Sequence, residues 1–191
     1  MKNLSMPWVL AIASLLVFVG LTQYFQRVYM LSTETTAVFT ADDTIESLFA
    51  PEGLEESPNN ETIKVVYFWQ SNCPCDATVI THFNELIEEY GAYANFLMAD
   101  LSPTARTDKL SEYTLLDAAK VEQLRASVTH TPSVGVWDEQ GKLSYYGPHN
   151  LGFVCNAKTS FLIDVLDSLL RNTESRNTNT LGDGCFCPTQ K

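Results

Sequence analysis

The sequence predicts an α/β domain preceded by one long apolar helix. Two observations carry the domain. Short β-branched and aromatic runs alternate with stretches of helical period, in the order β-α-β-α-β-β-α from residue 63 to 172. The first of those runs, Val65-Val66-Tyr67-Phe68-Trp69, is continuously apolar, which marks a central strand covered on both faces. A third observation predicts the leading helix, because Trp8 to Phe25 carries no charge.

As a helix that stretch spans about 27 Å, close to the roughly 30 Å of a bilayer core. It reads as an uncleaved single-pass anchor, with Lys2 keeping the N-terminus cytoplasmic. A cleaved signal peptide is the alternative. Residues 1–27 are thus the anchor or signal peptide, and 28–62 a polar linker with a short helix near Asp42–Phe49. Residues 63–172 form the domain, and 173–191 a flexible tail carrying cysteines. With 191 residues, 45% of them hydrophobic, the chain suffices for one ordinary core plus these appendages.

Within the domain, Ile63–Trp69 reads as a strand and Pro74–Tyr90 as a helix, with Val79, Phe83, Leu86, Ile87 and Tyr90 on one face and Gly91 ending it. Asn95–Ala99 is a second strand, and Leu115–Ser127 a second amphipathic helix. Ser133–Trp137 and Leu143–Tyr146 form a hairpin across Glu139-Gln140-Gly141-Lys142. The last helix covers Ala157–Arg171.

The chain has 12 Lys and Arg against 23 Asp and Glu, a net charge of −11, which argues against nucleic acid as a partner. Its five cysteines fit an oxidising compartment, and the odd count leaves at least one free, metal-bound or paired with another molecule. Cys73-Pro74-Cys75 directly follows the central strand. Pro74 suits the first helical position, which would put Cys73 at the N-cap, where unpaired N–H groups and the helix dipole favour thiolate. Asp76 opposes this as a nearby negative charge. A Cys73–Cys75 bond would be strained, since the Cβ vectors of residues i and i+2 converge poorly. Cys155, Cys185 and Cys187 are the other pairing candidates. A flexible tail from 172 to 184 has an end-to-end distance of about 20 Å, enough for its thiols to visit the domain.

Thr131-Pro132 and the sequence Phe68-Trp69-Gln70-Ser71-Asn72-Cys73-Pro74-Cys75 complete a pattern that resembles the thioredoxin superfamily over roughly residues 60–172. The resemblance implies a three-layer α/β/α sandwich, with Cys73 as nucleophile, Cys75 or a tail cysteine resolving it, and Thr131 and a cis-Pro132 offering backbone to an extended substrate. It implies thiol–disulfide exchange on protein thiols, with no cofactor beyond the cysteines. The anchor makes the chain similar to tethered thiol-disulfide proteins of the bacterial envelope, on the cytoplasmic membrane and facing the periplasm. The chain departs from the family in having Cys-x-Cys for C-x-x-C and Tyr67 where thioredoxin buries an Asp. His130, two residues before Pro132, is the histidine the fold would bring toward Cys73. Two other readings stay open. Cys73, Cys75, Cys185 and Cys187 could hold zinc or copper as thiolates, or the domain could be a redox-inactive interaction module.

Overall fold

Every residue of β2 (Ile63–Trp69) is buried, because the strand lies in the middle of a four-stranded sheet with cover on both sides. The computed structural model describes residues 6–29, 34–50, 62–102, 113–149, 160–173 and 176–189. β2 pairs in parallel with β3 (Ala94–Asp100) and antiparallel with β5 (Ser133–Trp137). β5 pairs antiparallel with β6 (Leu143–Gly147), giving the order β3-β2-β5-β6.

The pleat of β2 divides the core in two. Ile63, Val65, Tyr67 and Trp69 meet α3 (Asp76–Tyr90) through Val79, Phe83 and Leu86, and α5 (Phe161–Leu170) through Leu162, Val165 and Leu166. Val66 and Phe68 face the other way, toward Ile45 of α2 (Asp43–Glu46) and Val121 and Leu124 of α4 (Ala118–Leu124). The expected three layers are therefore present.

Helix boundaries differ from the sequence reading where side chains or strand pairing intervene. α3 begins at Asp76 with Cys75, not Cys73, at its N-cap. α4 is shorter than Leu115–Ser127 because the preceding residues pair with β3, Leu116 N–H donating to the Met98 carbonyl at 2.9 Å. The Asp117 carboxylate then caps the helix. Ser160 caps α5, so that helix begins after Ala157, which lies outside the described residues.

The two flanking segments are a larger correction. Residues 34–40 of the expected linker form β1 (Glu34–Thr40), and the expected flexible tail contains β7 (Asn179–Pro188), the two pairing antiparallel. β7 also pairs with β4 (His130–Thr131), in a second sheet of order β1-β7-β4. Phe186 of β7 and Phe39 of β1 anchor this sheet in the core, ring to ring at 5.3 Å. Gly182 makes room for them, since a Cβ there would lie 2.7 Å from the Phe39 ring and 2.8 Å from that of Phe186.

α1 (Met6–Tyr29) exposes large apolar side chains, including Trp8, Leu16, Phe18 and Tyr24. Counted over the described residues, no helix is long and apolar enough to cross a membrane.

Candidate redox site

The site forms where the end of β2 meets the β4–β5 junction and the last residues of β7. After Trp69 the chain turns sharply: Cys73 N–H donates to the Gln70 carbonyl at 3.0 Å, and Asp76 N–H to the Cys73 carbonyl at 3.3 Å. Opposite this turn, the Thr131–Pro132 peptide bond is cis. Cys73 Sγ lies 3.6 Å from the Thr131 carbonyl oxygen. β7 runs antiparallel past the same residue, with Thr131 opposite Cys187 and His130 opposite Pro188.

Two disulfides close the site. Cys73 is joined to Cys187 and Cys75 to Cys185, with Cα–Cα distances of 5.8 and 5.5 Å. These lie inside the range that disulfides require. Cys75 Sγ is also 3.9 Å from Cys187 Sγ. Cys73, Cys75 and Cys187 are buried, and Cys185 is half-buried at the surface end of the group.

All six expected site residues, Cys73, Cys75, Thr131, Pro132, Cys185 and Cys187, thus gather in one place. The strained Cys73–Cys75 bond is not formed, and of the candidates in the tail Cys187 is the one joined to Cys73. In a strand, residues i and i+2 project from the same face, so β7 turns both of its sulfurs toward the turn and meets the two cysteines separately. Cys155 lies outside the described residues. His130 is close in sequence to Thr131, but its ring bonds elsewhere, with Nε2 3.1 Å from Glu34 Oε2 and Nδ1 3.0 Å from Thr129 Oγ1.

Asp76 plays a different part from the one its charge suggests. It is buried, accepting from the Tyr67 hydroxyl at 2.8 Å and from Gln70 N–H at 3.3 Å. Burial drives its carboxyl well above the ordinary range, and those two hydrogen bonds only partly offset it. A buried acid therefore does adjoin the cysteines, supplied from α3 and tied to Tyr67. The sequence placed Asp76 beside Cys75 but held no sign of the contact across to β2.

Behind Tyr67 lies a buried pair the sequence did not reveal. His82 and His149 pack with ring centroids 4.9 Å apart, and His149 also lies against Tyr67 at 6.1 Å. His82 Nδ1 is 3.0 Å from Glu85 Oε2, while His82 Nε2 and both His149 ring nitrogens have no hydrogen-bond partner among the described residues. Burial, with the neighbouring His82 adding to it, lowers His149 to about 3.

A cleft of about 350 Å³ lined by Ile63, Asp138, Lys142 and Arg176 lies at the opposite end of β2 and takes no part in this chemistry.

The parallel β2–α3–β3 unit, the antiparallel β5–β6 hairpin and the cis-proline beside Cys73 define a thioredoxin-like fold. The chain belongs to the family described as "Domain of unknown function (DUF6436)", whose model matches residues 45–189. No curated protein matches the sequence. Among solved structures it is similar to an uncharacterized conserved protein from Geobacillus kaustophilus, at 16% identity and a TM-score of 0.53, covering 84% of this chain and 92% of that one. It is also similar to a hypothetical protein from Sinorhizobium meliloti, at 15% identity and a TM-score of 0.50, covering 83% and 92%. An uncharacterized thioredoxin-like protein from Porphyromonas gingivalis matches at 17% identity and a TM-score of 0.43, covering 63% and 83%.

Proposed function

We propose that this protein is a thiol–disulfide oxidoreductase acting on protein thiols, with Cys73 as the nucleophile. One observation carries the reading: Cys73 is joined to a cysteine on a strand that pairs with Thr131, immediately before cis-Pro132. The chain's own C-terminal strand thereby occupies the place that an extended substrate would take. Cys187 resolves Cys73, Cys185 resolves Cys75, and the backbone of Thr131 holds the strand in register.

The reading includes a membrane tether. The charge-free run Trp8–Phe25 and the exposed apolar side chains of α1 support attachment to the cytoplasmic membrane, with the domain on the periplasmic side, where disulfides persist.

The test is reduction of insulin, and oxidation of a reduced protein, by the full chain in detergent. Cys73→Ser should lose at least 100-fold in rate. Equal rates for the variant and the wild type would end the proposal.

A second reading is favoured by the sulfur positions. Cys73, Cys75 and Cys187 bring their Sγ atoms within 4.8 Å of one another. Zn–S bonds of about 2.3 Å imply S···S edges near 3.8 Å in a tetrahedral site, so the reduced thiols could hold zinc or Cu(I). Stoichiometric metal on the reduced protein, lost on alkylation, would support this reading.

A further inference from the structure

The four sulfurs are not equivalent to an incoming thiol. Cys73, Cys75 and Cys187 are 6, 2 and 5% exposed, whereas Cys185 is half-buried. Thiol–disulfide exchange needs a thiolate to reach a sulfur, so access selects the bond that breaks first. Resting on the exchange activity above, we propose that Cys185 is the entry point for an external dithiol. From there an internal exchange between Cys75 and Cys187 carries the reducing equivalents to Cys73.

The steps balance. A thiolate of the dithiol attacks Cys185 Sγ, forming a mixed disulfide and expelling Cys75 as thiolate. Cys75 immediately precedes the 15-residue helix α3, whose N-terminal dipole favours the departing thiolate. The second thiol of the reductant then attacks the mixed disulfide, leaving as a cyclic disulfide and returning Cys185 as a thiol. The Cys75 thiolate faces Cys187 Sγ at 3.9 Å. Its attack forms Cys75–Cys187 and expels Cys73 as thiolate beside the Thr131 carbonyl. Overall, one dithiol is oxidised to a disulfide. One of the two protein disulfides is reduced, and the two thiol protons end on Cys185 and Cys73 or in solvent. The thiol freed at the nucleophile position is thus two exchanges away from the one attacked.

This order predicts a pattern that direct reduction of either original bond does not produce. The oxidised full chain in detergent receives one equivalent of dithiothreitol without oxygen, is alkylated, and is mapped by fragment spectra that separate Cys73 from Cys75. The expected product carries alkyl groups on Cys73 and Cys185 and a Cys75–Cys187 disulfide. Alkylation of Cys73 and Cys187 with Cys75–Cys185 intact would overturn the entry point. Alkylation of Cys75 and Cys185 with Cys73–Cys187 intact would overturn the transfer.

Cys75→Ser supplies a kinetic check, since it removes the intermediate carrier while retaining Cys73–Cys187. Release of Cys73 by dithiothreitol should slow at least tenfold, and an unchanged rate would overturn the relay. Insulin reduction by the wild-type chain separates the two claims. Activity with the wrong alkylation pattern sinks the relay alone, whereas the expected pattern without activity sinks the proposed function.

Discussion

Cys73-Pro74-Cys75 is held on a turn between a buried strand and a helix, whereas Cys185-Phe186-Cys187 lies on a strand paired with β1 on one side and β4 on the other. The spacing is the same but the support is not. Pro74 stiffens the first unit, and the Cys75 cap position and buried Asp76 lie within its first helical turn. The second unit is positioned by what lies between its cysteines. Phe186 points away from the sulfurs into the core against Phe39, and that one ring sets which face of β7 meets the site. A Cys-x-Cys unit thus has no geometry of its own. The same spacing gives a fixed thiol pair on a turn and a two-pronged resolving edge on a strand.

The comparison can be broken most strongly by removing the bonds between the units. The disulfides span sequence separations of 114 and 110 residues, one loop nested within the other. Closing the first such loop stabilises by about 5 kcal/mol in the chain-entropy account, and the nested one adds little. Cys185→Ser/Cys187→Ser should therefore lose about 5 kcal/mol in urea unfolding, whereas Cys185→Ser alone should lose far less.

The next effect lies behind the first unit and shows in the pH dependence. Lowering His149 from 6.5 to about 3 means that the unfolded chain takes up its proton first. Stability is therefore lost as pH falls from 6.5 toward 3, by about 5 kcal/mol for that shift. Asp76 acts in the opposite sense: its raised carboxyl withdraws stability as pH rises above the ordinary 3.8. His149→Leu should flatten the loss between pH 6.5 and 3, and Asp76→Asn should stabilise the protein above pH 4. Denaturant midpoints across pH 3–8 check both.

Truncating the ring that aims the second unit comes next. Phe186→Ala should cost about 3–4 kcal/mol while leaving all four site cysteines in place, and it should slow reoxidation of Cys73 because β7 loses its register. A midpoint unchanged from wild type would show that the disulfides alone hold the strand.

The smallest effect concerns the rim of the second sheet. Glu34 is half exposed where it meets His130 at 3.1 Å, so Glu34→Gln should change stability by less than about 1 kcal/mol. A larger loss in thermal unfolding would mean that β1 is held by this pair rather than by Phe39.

Much of the central domain was legible because its signals are apolar and periodic. Val65–Trp69 announced a strand covered on both faces, and the α3 stripe from Val79 to Tyr90 announced its helix. The flanking strands were not legible. β1 and β7 are rich in Thr, Gly, Asn and Asp, and each contributes only a few residues to the core, such as Phe39 and Phe186. Backbone pairing stabilises such strands, and composition carries little trace of pairing between residues some 150 positions apart.

The sequence by itself determined the α/β order, the cysteine units and the Thr131-Pro132 step, because local period and motif spacing are written in adjacent residues. Only the tertiary structure decided that the C-terminus is a strand, that Cys73 pairs with Cys187 and Cys75 with Cys185, and that Asp76 meets Tyr67 as a buried acid. Those outcomes depend on which distant surfaces bury one another and which face of β7 turns inward, and such choices belong to the packed chain rather than to any local segment.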